Sequence, residues 1–288
     1  MPGFTIERPH RRTCRVRMVV SSTTGWEQWF LLRSDAHHDH AQARWDVEKR
    51  HLTEAVERGA GILDAGDLFC AMQGKWDPRA DRSALREEYQ AGQYLDTLVN
   101  EAVRFYGPYA GNWVNMSPGN HETAIRKRHE TCLTERLVTR LNAEHGGRIE
   151  KMPYASWVQF RICMDYSSKS YTINLYQFHG SGGGGPVTRG VIGTNRRSVF
   201  LPDADVIWTG HTHDSWIMPI TRERILQSGK PDRHTQYHIS TPGYKDEFSP
   251  GDGWHIETGK PPKPIGAMWM RVFFAHSQPA VEFLEARE

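Results

Sequence analysis

Asp35-Ala36-His37, Gly66-Asp67, Gly119-Asn120-His121-Glu122, His179-Gly180 and Gly210-His211-Thr212-His213 are five short clusters rich in groups that ligate metals or move protons. Each follows an apolar run, in order Trp29-Phe30-Leu31-Leu32, Ile62-Leu63, Trp113-Val114-Asn115-Met116, Leu175-Tyr176-Gln177-Phe178 and Val206-Ile207-Trp208. Such runs read as strands that stop where the cluster begins. Divalent transition metals take imidazole and carboxylate together, and loops at strand ends can converge on one point. The set therefore predicts a two-metal hydrolytic site.

Two dications about 3.5–4 Å apart need an anionic ligand between them. Asp67, a lone carboxylate on a Gly turn after a buried strand, is the expected bridge. Asp35 and His37 lie two apart, as do His211 and His213. In an extended strand-end loop that spacing points both side chains the same way. Asn120 can offer a neutral amide oxygen and His179 another imidazole. A metal-bridging hydroxide would then be available as nucleophile near neutral pH, and both ions would neutralise a phosphate group. His121 is not needed as a ligand. It is expected to protonate a leaving oxygen as general acid, with Asp35 as the acidic neighbour that orients its ring. Two divalent ions are the expected cofactors, manganese first, with iron, zinc, nickel and cobalt suited to the same mixed donor set.

These clusters need a scaffold of alternating strands and helices. Glu27 to Ser34 reads as a buried strand, and Trp45, Leu52, Ala55 and Val56 fall at helical spacing between Ala41 and Arg58. A second strand begins at Ile62-Leu63, and a second helix carries Leu95, Leu98, Val99, Ala102 and Phe105 on one face. The third strand spans Asn112 to Met116, and Leu133, Leu137 and Leu141 mark a helix ending near Gly146-Gly147. Beyond it the pattern changes. Val158, Phe160 and Ile162 alternate, as do Tyr171, Ile173 and Leu175. Further strands are expected at Val206–Trp208, Trp216–Ile220, Gln236–Ile239 and Met268–Phe274, while Met1 to Arg12 reads as an arm or an edge strand. A βαβαβα order followed by strands predicts an α/β fold, a four-layer α/β/β/α sandwich of two mixed sheets flanked by helices. Residues 1–288 read as one domain with a motif-bearing core at about 27–275.

The balance of 36 Lys+Arg against 34 Asp+Glu gives no long-range reason for nonspecific nucleic-acid or membrane binding. Cys14, Cys70, Cys132 and Cys163 form no Cys-x-x-Cys pair, which argues against a structural zinc site and a dense disulfide framework. No apolar stretch reads as a signal peptide or a membrane span, so a cytoplasmic protein with no membrane partner is expected.

The ordered motifs Asp35-x-His37, Gly66-Asp67, Gly119-Asn120-His121-Glu122, His179-Gly180 and Gly210-His211-Thr212-His213 resemble those of the calcineurin-like metallophosphoesterase superfamily. The resemblance covers roughly residues 30 to 213. It implies that Asp35, His37, Asp67 and His213 bind one metal, that Asp67, Asn120, His179 and His211 bind the other, and that His121 is the catalytic histidine. The implied fold is a β-sandwich of mixed sheets flanked by helices. Departures narrow the branch. Protein Ser/Thr phosphatases carry Asp-Arg-Gly after the second motif and an Arg before Gly-Asn-His-Glu, whereas here Leu68-Phe69-Cys70 and Ser117-Pro118 occupy those places. Gly66-Asp67-Leu68-Phe69 is similar to the SbcD-like DNA repair exonucleases, although that branch usually has Asp where Glu122 stands. Over its full length the chain resembles metallophosphoesterases carried by bacteriophages and bacteria, a likeness that names no substrate.

A phosphodiesterase or nuclease is thus the expected function. A phosphomonoesterase acting on nucleotides or other small phosphates, and a non-catalytic binding scaffold, are the alternatives. The partner is a phosphate-ester substrate, a nucleotide or nucleic acid. Around the centre, Arg196 and Arg197 are expected to grip substrate phosphates, and Gly182 and Gly183 of the run Ser181–Gly185 to offer backbone N–H groups. Arg126-Lys127-Arg128 reads as a solvated helix face, Tyr244-Lys245 and Trp254-His255 as loop anchors, and Cys70 as packing. His38 and His40 are not assigned as ligands.

Overall fold

A computed structural model describes residues 3–72, 80–90, 92–183, 192–249, 251 and 254–288. The chain opens with β1 (Phe4–His10), β2 (Thr13–Val20), β3 (Glu27–Arg33), α1 (Trp45–Glu57) and β4 (Gly61–Asp64). It continues through α2 (Tyr94–Tyr106), β5 (Trp113–Met116), α3 (Asn120–His129), α4 (Leu133–His145) and β6 (Glu150–Lys151). The second half holds β7 (Ala155–Met164), β8 (Ser170–Phe178), α5 (Ile192–Phe200), β9 (Val206–Thr209) and β10 (Trp216–Ile225). It ends with β11 (Pro231–Ser240), α6 (Trp254–Glu257), β12 (Gly266–Ala275) and β13 (Gln278–Arg287).

These strands build two mixed sheets, ordered β1-β2-β7-β8-β9-β11-β10 and β13-β12-β3-β4-β5-β6. In the second, β3, β4, β5 and β6 run parallel, and in the first β8, β9 and β11 do. The burial patterns follow from the layers. β7 alternates buried and half-buried residues along its length because only one face meets the other sheet. β4 and β5 are buried throughout, as parallel strands covered on both faces are. Between the sheets lie Val16, Phe30, Leu32, Leu63, Val114, Phe160, Leu175, Trp208 and Met268. On the outer side of the second sheet, α1, α2 and α4 bury Leu52, Leu98, Val99, Leu137 and Leu141. A small cluster of Leu201, Ala204 and Ile207 with Trp157 and Tyr176 covers part of the first sheet after α5. This is the α/β sandwich of two mixed sheets flanked by helices expected from the element order.

Polar groups tie the layers together. Arg33 is fully buried, 2.8 Å from Glu48 and 3.3 Å from Asp64, with Tyr106, Trp113 and Tyr244 around its guanidinium. It thereby locks α1 and β4 to β3. Gln177 on β8 donates to Ser117 Oγ at 2.7 Å and accepts from Asn115 of β5 at 3.1 Å, which joins the two sheets beside the site. Three strands lie outside the sequence expectations: β2, whose Cys14, Val16, Met18 and Val20 point inward, the two-residue β6, and β13 at the edge of the second sheet. No helix among the described residues is long and apolar enough to cross a membrane.

Candidate metal centre

Each of the five clusters sits just beyond the carboxyl end of its strand: Asp35 after β3, Asp67 after β4, Asn120 after β5, His179 after β8 and His211 after β9. Parallel strands put these ends on one side, where open α/β sheets usually carry their ligands. The loops turn sharply. Asp35, His37, Asp67, His211 and His213 all adopt positive φ, between 45° and 71°. Asp and His are among the residue types that tolerate this region best. Two glycines permit the close approach of the loops. A Cβ on Gly66 would come within 2.4 Å of the Gly119 nitrogen, and one on Gly119 within 2.0 Å of Asp67 Oδ1.

Two sets of donors result. Asp35, His37 and His213 offer ligand atoms within 4.8 Å of one another, and so do Asp67, His179 and His211. Asn120 joins the second set, its Oδ1 lying 3.0 Å from His179 Nε2. The sets are adjacent: Asp35 Oδ2 accepts the His211 backbone N–H at 2.9 Å, and Asp67 Oδ2 lies 3.1 Å from His179 Nε2. His179 turns its Nδ1 to the Ala65 carbonyl at 2.9 Å, which leaves Nε2 for the centre.

The centre fits a divalent ion on its own evidence. Asp35 Oδ1 is buried without a hydrogen-bond partner among the described residues, and it faces His213 Nε2 at 3.4 Å, which in turn lies 3.3 Å from His37 Nε2, so three donors crowd one point. Burial opposes ionisation of Asp35 and Asp67, yet His213 beside the first and His179 beside the second hold both below the usual carboxylate range, Asp67 far below it. Burial likewise disfavours the His179 cation, but Asp67, Asp35 and Glu122 outweigh it and push that imidazole up to about 10. Such a field draws positive charge to this point. His37 is kept neutral by burial and by its histidine neighbours, the form in which imidazole ligates.

His121 stands at the first turn of α3. Its Nδ1 bonds to the Cys70 carbonyl, and its Nε2 lies 3.6 Å from Asp67 Oδ2. The expected orientation of this ring by Asp35 is therefore corrected. Asp35 spends Oδ2 on the His211 N–H and faces His213 with Oδ1 at 3.4 Å, so a backbone carbonyl sets the tautomer of His121 instead.

Supporting residues that the sequence reading did not assign surround the centre. Glu122 accepts N–H groups of Asp67, Phe69 and Gly119, at 3.2, 2.9 and 2.8 Å, and so clamps the second motif to the third. Asp39 accepts the N–H groups of Cys70 and Ala71 at 2.6 and 3.0 Å and the Tyr94 hydroxyl. The signal for Glu122 was its N3 position in a capping box; Asp39 had none. His38 is stacked on Trp45 at 4.4 Å and fully buried, away from the ligands.

A cavity of about 740 Å³ opens over the ligands and is lined by His37, Asp67, His121, His211 and His213. Lys245 is the only lysine or arginine lining it among the described residues. Tyr244 donates its N–H to the Asp35 carbonyl at 2.9 Å and Arg44 donates to Tyr244 O at 2.8 Å, which holds Lys245 against the first motif. Glu247 pairs with Lys245 and lies 3.1 Å from His255 Nε2. Arg196 and Arg197 do not line this cavity; Arg196 is exposed, and Arg197 lies over the Phe178 ring at 5.4 Å. Gly182 and Gly183 are exposed and likewise outside the lining, while Gly184 and Gly185 lie outside the described residues. A separate concavity of about 790 Å³ beside β13 includes Asp214, Trp216 and Lys263. None of the potential metal-ligand groups among the described residues falls there.

No protein-family model matches the sequence, and no curated protein sequence matches it either. Solved structures with a similar backbone include Vacuolar Protein Sorting 29 from Cryptosporidium parvum, at 14% identity and a TM-score of 0.43, covering 91% of this chain and 100% of that one. A conserved protein from Streptococcus pneumoniae, described as a predicted phosphoesterase, has 9% identity and a TM-score of 0.36 over 91% of each chain. Vps29 complexed with zinc from Entamoeba histolytica has 12% identity and a TM-score of 0.35, covering 90% of this chain and 100% of that one.

Proposed function

We propose that the chain is a calcineurin-like metallophosphoesterase that hydrolyses phosphodiester bonds with two divalent ions, nucleic acids or nucleotide diesters being the substrate class. One observation carries the reading. Carboxylate, amide and imidazole donors from five separate loops meet in two sets beside Asp67, and His121 stands next to them at 3.6 Å. Asp35, His37, Asp67 and His213 would hold one ion and Asp67, Asn120, His179 and His211 the other, manganese fitting this mixture of oxygen and nitrogen donors. When bound, the ions would activate water and neutralise phosphate charge at neutral pH.

The protein's own groups do the rest. With Nδ1–H committed to the Cys70 carbonyl, His121 presents Nε2 to the cavity and acts as general acid through a proton carried there. Lys245 supplies a fixed cation for a substrate oxygen that the ions do not reach. The Gly66-Asp67-Leu68-Phe69 motif, and the absence of the protein-phosphatase signatures, support the diester over the monoester. Incubation with manganese and either bis-p-nitrophenyl phosphate or p-nitrophenyl phosphate tests this directly, with Asp67→Asn as the control. Faster cleavage of the diester, lost in the variant, is expected. A metal-loaded protein that cleaves neither ester nor any nucleic acid would refute it.

A further inference from the structure

We propose that His37, Cys70 and His121 form a third cation site, selective for thiophilic divalent ions such as zinc and cadmium, whose occupation switches the hydrolytic centre off. One ligand atom from each of the three lies within 4.8 Å of the other two. All three residues line the same cavity, so an ion reaches them by the route the substrate takes. Cys70 is a free thiol and 3% exposed. His37 is equally buried, and its Nε2, 3.3 Å from His213 Nε2, is the nitrogen it turns to the centre. His121 has committed Nδ1 to the Cys70 carbonyl, which leaves its other nitrogen free to ligate. A tetrahedral zinc ion bonded at about 2.3 Å to sulfur and about 2.0–2.1 Å to nitrogen brings its donors to about 3.3–3.6 Å apart, so side-chain rotations that draw the three donors together by about an ångström complete the site.

The donor types decide which ions enter. The two hydrolytic sets offer carboxylate, amide and imidazole, whereas this one replaces all oxygen by a sulfur and two imidazoles. Soft thiolate selects zinc and its heavier congener over manganese or magnesium. On coordination the Cys70 S–H bond breaks, its proton leaves to solvent and a sulfur–metal bond forms, with no change of oxidation state. The occupant takes His37 from the Asp35–His37–His213 set and the proton-bearing nitrogen from His121. The site and the hydrolytic centre therefore cannot both be complete. Binding stands on the three residues alone; only the inhibitory consequence rests on the phosphoesterase reading.

Titrating the full chain with cadmium, while following the ultraviolet cadmium–thiolate charge-transfer absorption, tests the site without any turnover. The native chain is expected to show the band. Loss of even an outer-shell partner costs about 10–100-fold in metal affinity, so Cys70→Ser should lower it by at least about tenfold and remove the band. Cys132→Ser and Cys163→Ser should retain it, and His121→Gln should weaken binding while leaving the sulfur signal. A native chain without the band, or Cys70→Ser and Cys70→Ala chains that keep it, would overturn the proposal. With manganese and the diester, one equivalent of zinc should inhibit the native enzyme and spare Cys70→Ser; equal inhibition of the two would sink the switch. A chain inert with every metal would refute the phosphoesterase reading, and the absorption would still decide the site.

Discussion

Removing the Glu122 carboxylate should loosen the loop that carries Asp67. Its Oε2 accepts from Asp67 N at 3.2 Å and Gly119 N at 2.8 Å, and its Oε1 accepts from Phe69 N at 2.9 Å, all buried. A buried donor left unsatisfied costs about 1–3 kcal/mol. In Glu122→Gln the amide oxygen can keep the two donors on the Oε2 side, while its NH₂ confronts the Phe69 N–H. One donor is orphaned, so the expected loss is about 1–3 kcal/mol. Glu122→Ala orphans all three and should cost at least about 3 kcal/mol. Urea unfolding at neutral pH without added metal measures both. The order native, Gln, Ala is required, and metal should recover part of the loss because it binds only the folded centre. An alanine variant destabilised by less than about 1 kcal/mol, or a glutamine variant worse than alanine, would refute the clamp.

His121→Gln should retain manganese binding by calorimetry and lose about 10²–10⁴-fold in kcat, the usual contribution of a general acid; retained turnover would remove His121 from the chemistry. Lys245→Met should raise KM for an anionic diester by about 10–100-fold with a smaller change in kcat, the worth of a charge-assisted hydrogen bond, and the Lys245→Met/Glu247→Gln double variant should behave alike if the charge is what counts. Burial, with Arg197 and Arg222 nearby, lowers His238 from the usual histidine value of 6.5 to about 4. Between those values the unfolded chain binds a proton that the folded chain does not, so this group's stabilisation is present above pH 6.5 and lost as pH falls. Native protein should lose about 2 kcal/mol more than His238→Gln between pH 7 and pH 5, read by urea unfolding at each pH, and parallel losses would contradict the assignment.

The strand-end position of Asp35, Asp67, Asn120, His179 and His211 was legible because an apolar run that stops at a metal-friendly cluster is a local pattern. The helices at Trp45–Glu57 and Tyr94–Tyr106 were legible for the same reason, through their spacing. β2 has the alternation of a strand, Cys14, Val16, Met18 and Val20 against Arg15 and Arg17, but it lies just past the Met1 to Arg12 stretch read as an arm or an edge strand and ends in no metal-friendly cluster to mark it. Other features depend on contacts made only in three dimensions. The carbonyl that turns His121 belongs to Cys70, 51 residues away, and a backbone carbonyl has no sequence signature. Lys245 enters the cavity because its neighbour Tyr244 bonds to the Asp35 carbonyl, a pairing no periodicity announces. Arg196 and Arg197 show the other side of this: a pair of cations near a motif suggested a phosphate grip, yet neither lines the cavity, and α5 sets Arg197 over the Phe178 ring.

The left-handed backbone at Asp35, His37, Asp67, His211 and His213 restricts what can replace these residues, whatever the metal does. Alanine there removes a proposed ligand and also forces a conformation that costs an ordinary side chain about 1–2 kcal/mol, so one substitution mixes two effects. Asparagine keeps the shape of an aspartate and visits the same region readily, and glycine enters it without steric cost. Comparing Asp35→Asn, Asp35→Gly and Asp35→Ala therefore separates coordination from chain geometry at a single position. Mutational tolerance at these five sites is set twice over, once by the chemistry of the side chain and once by the handedness of the main chain beneath it.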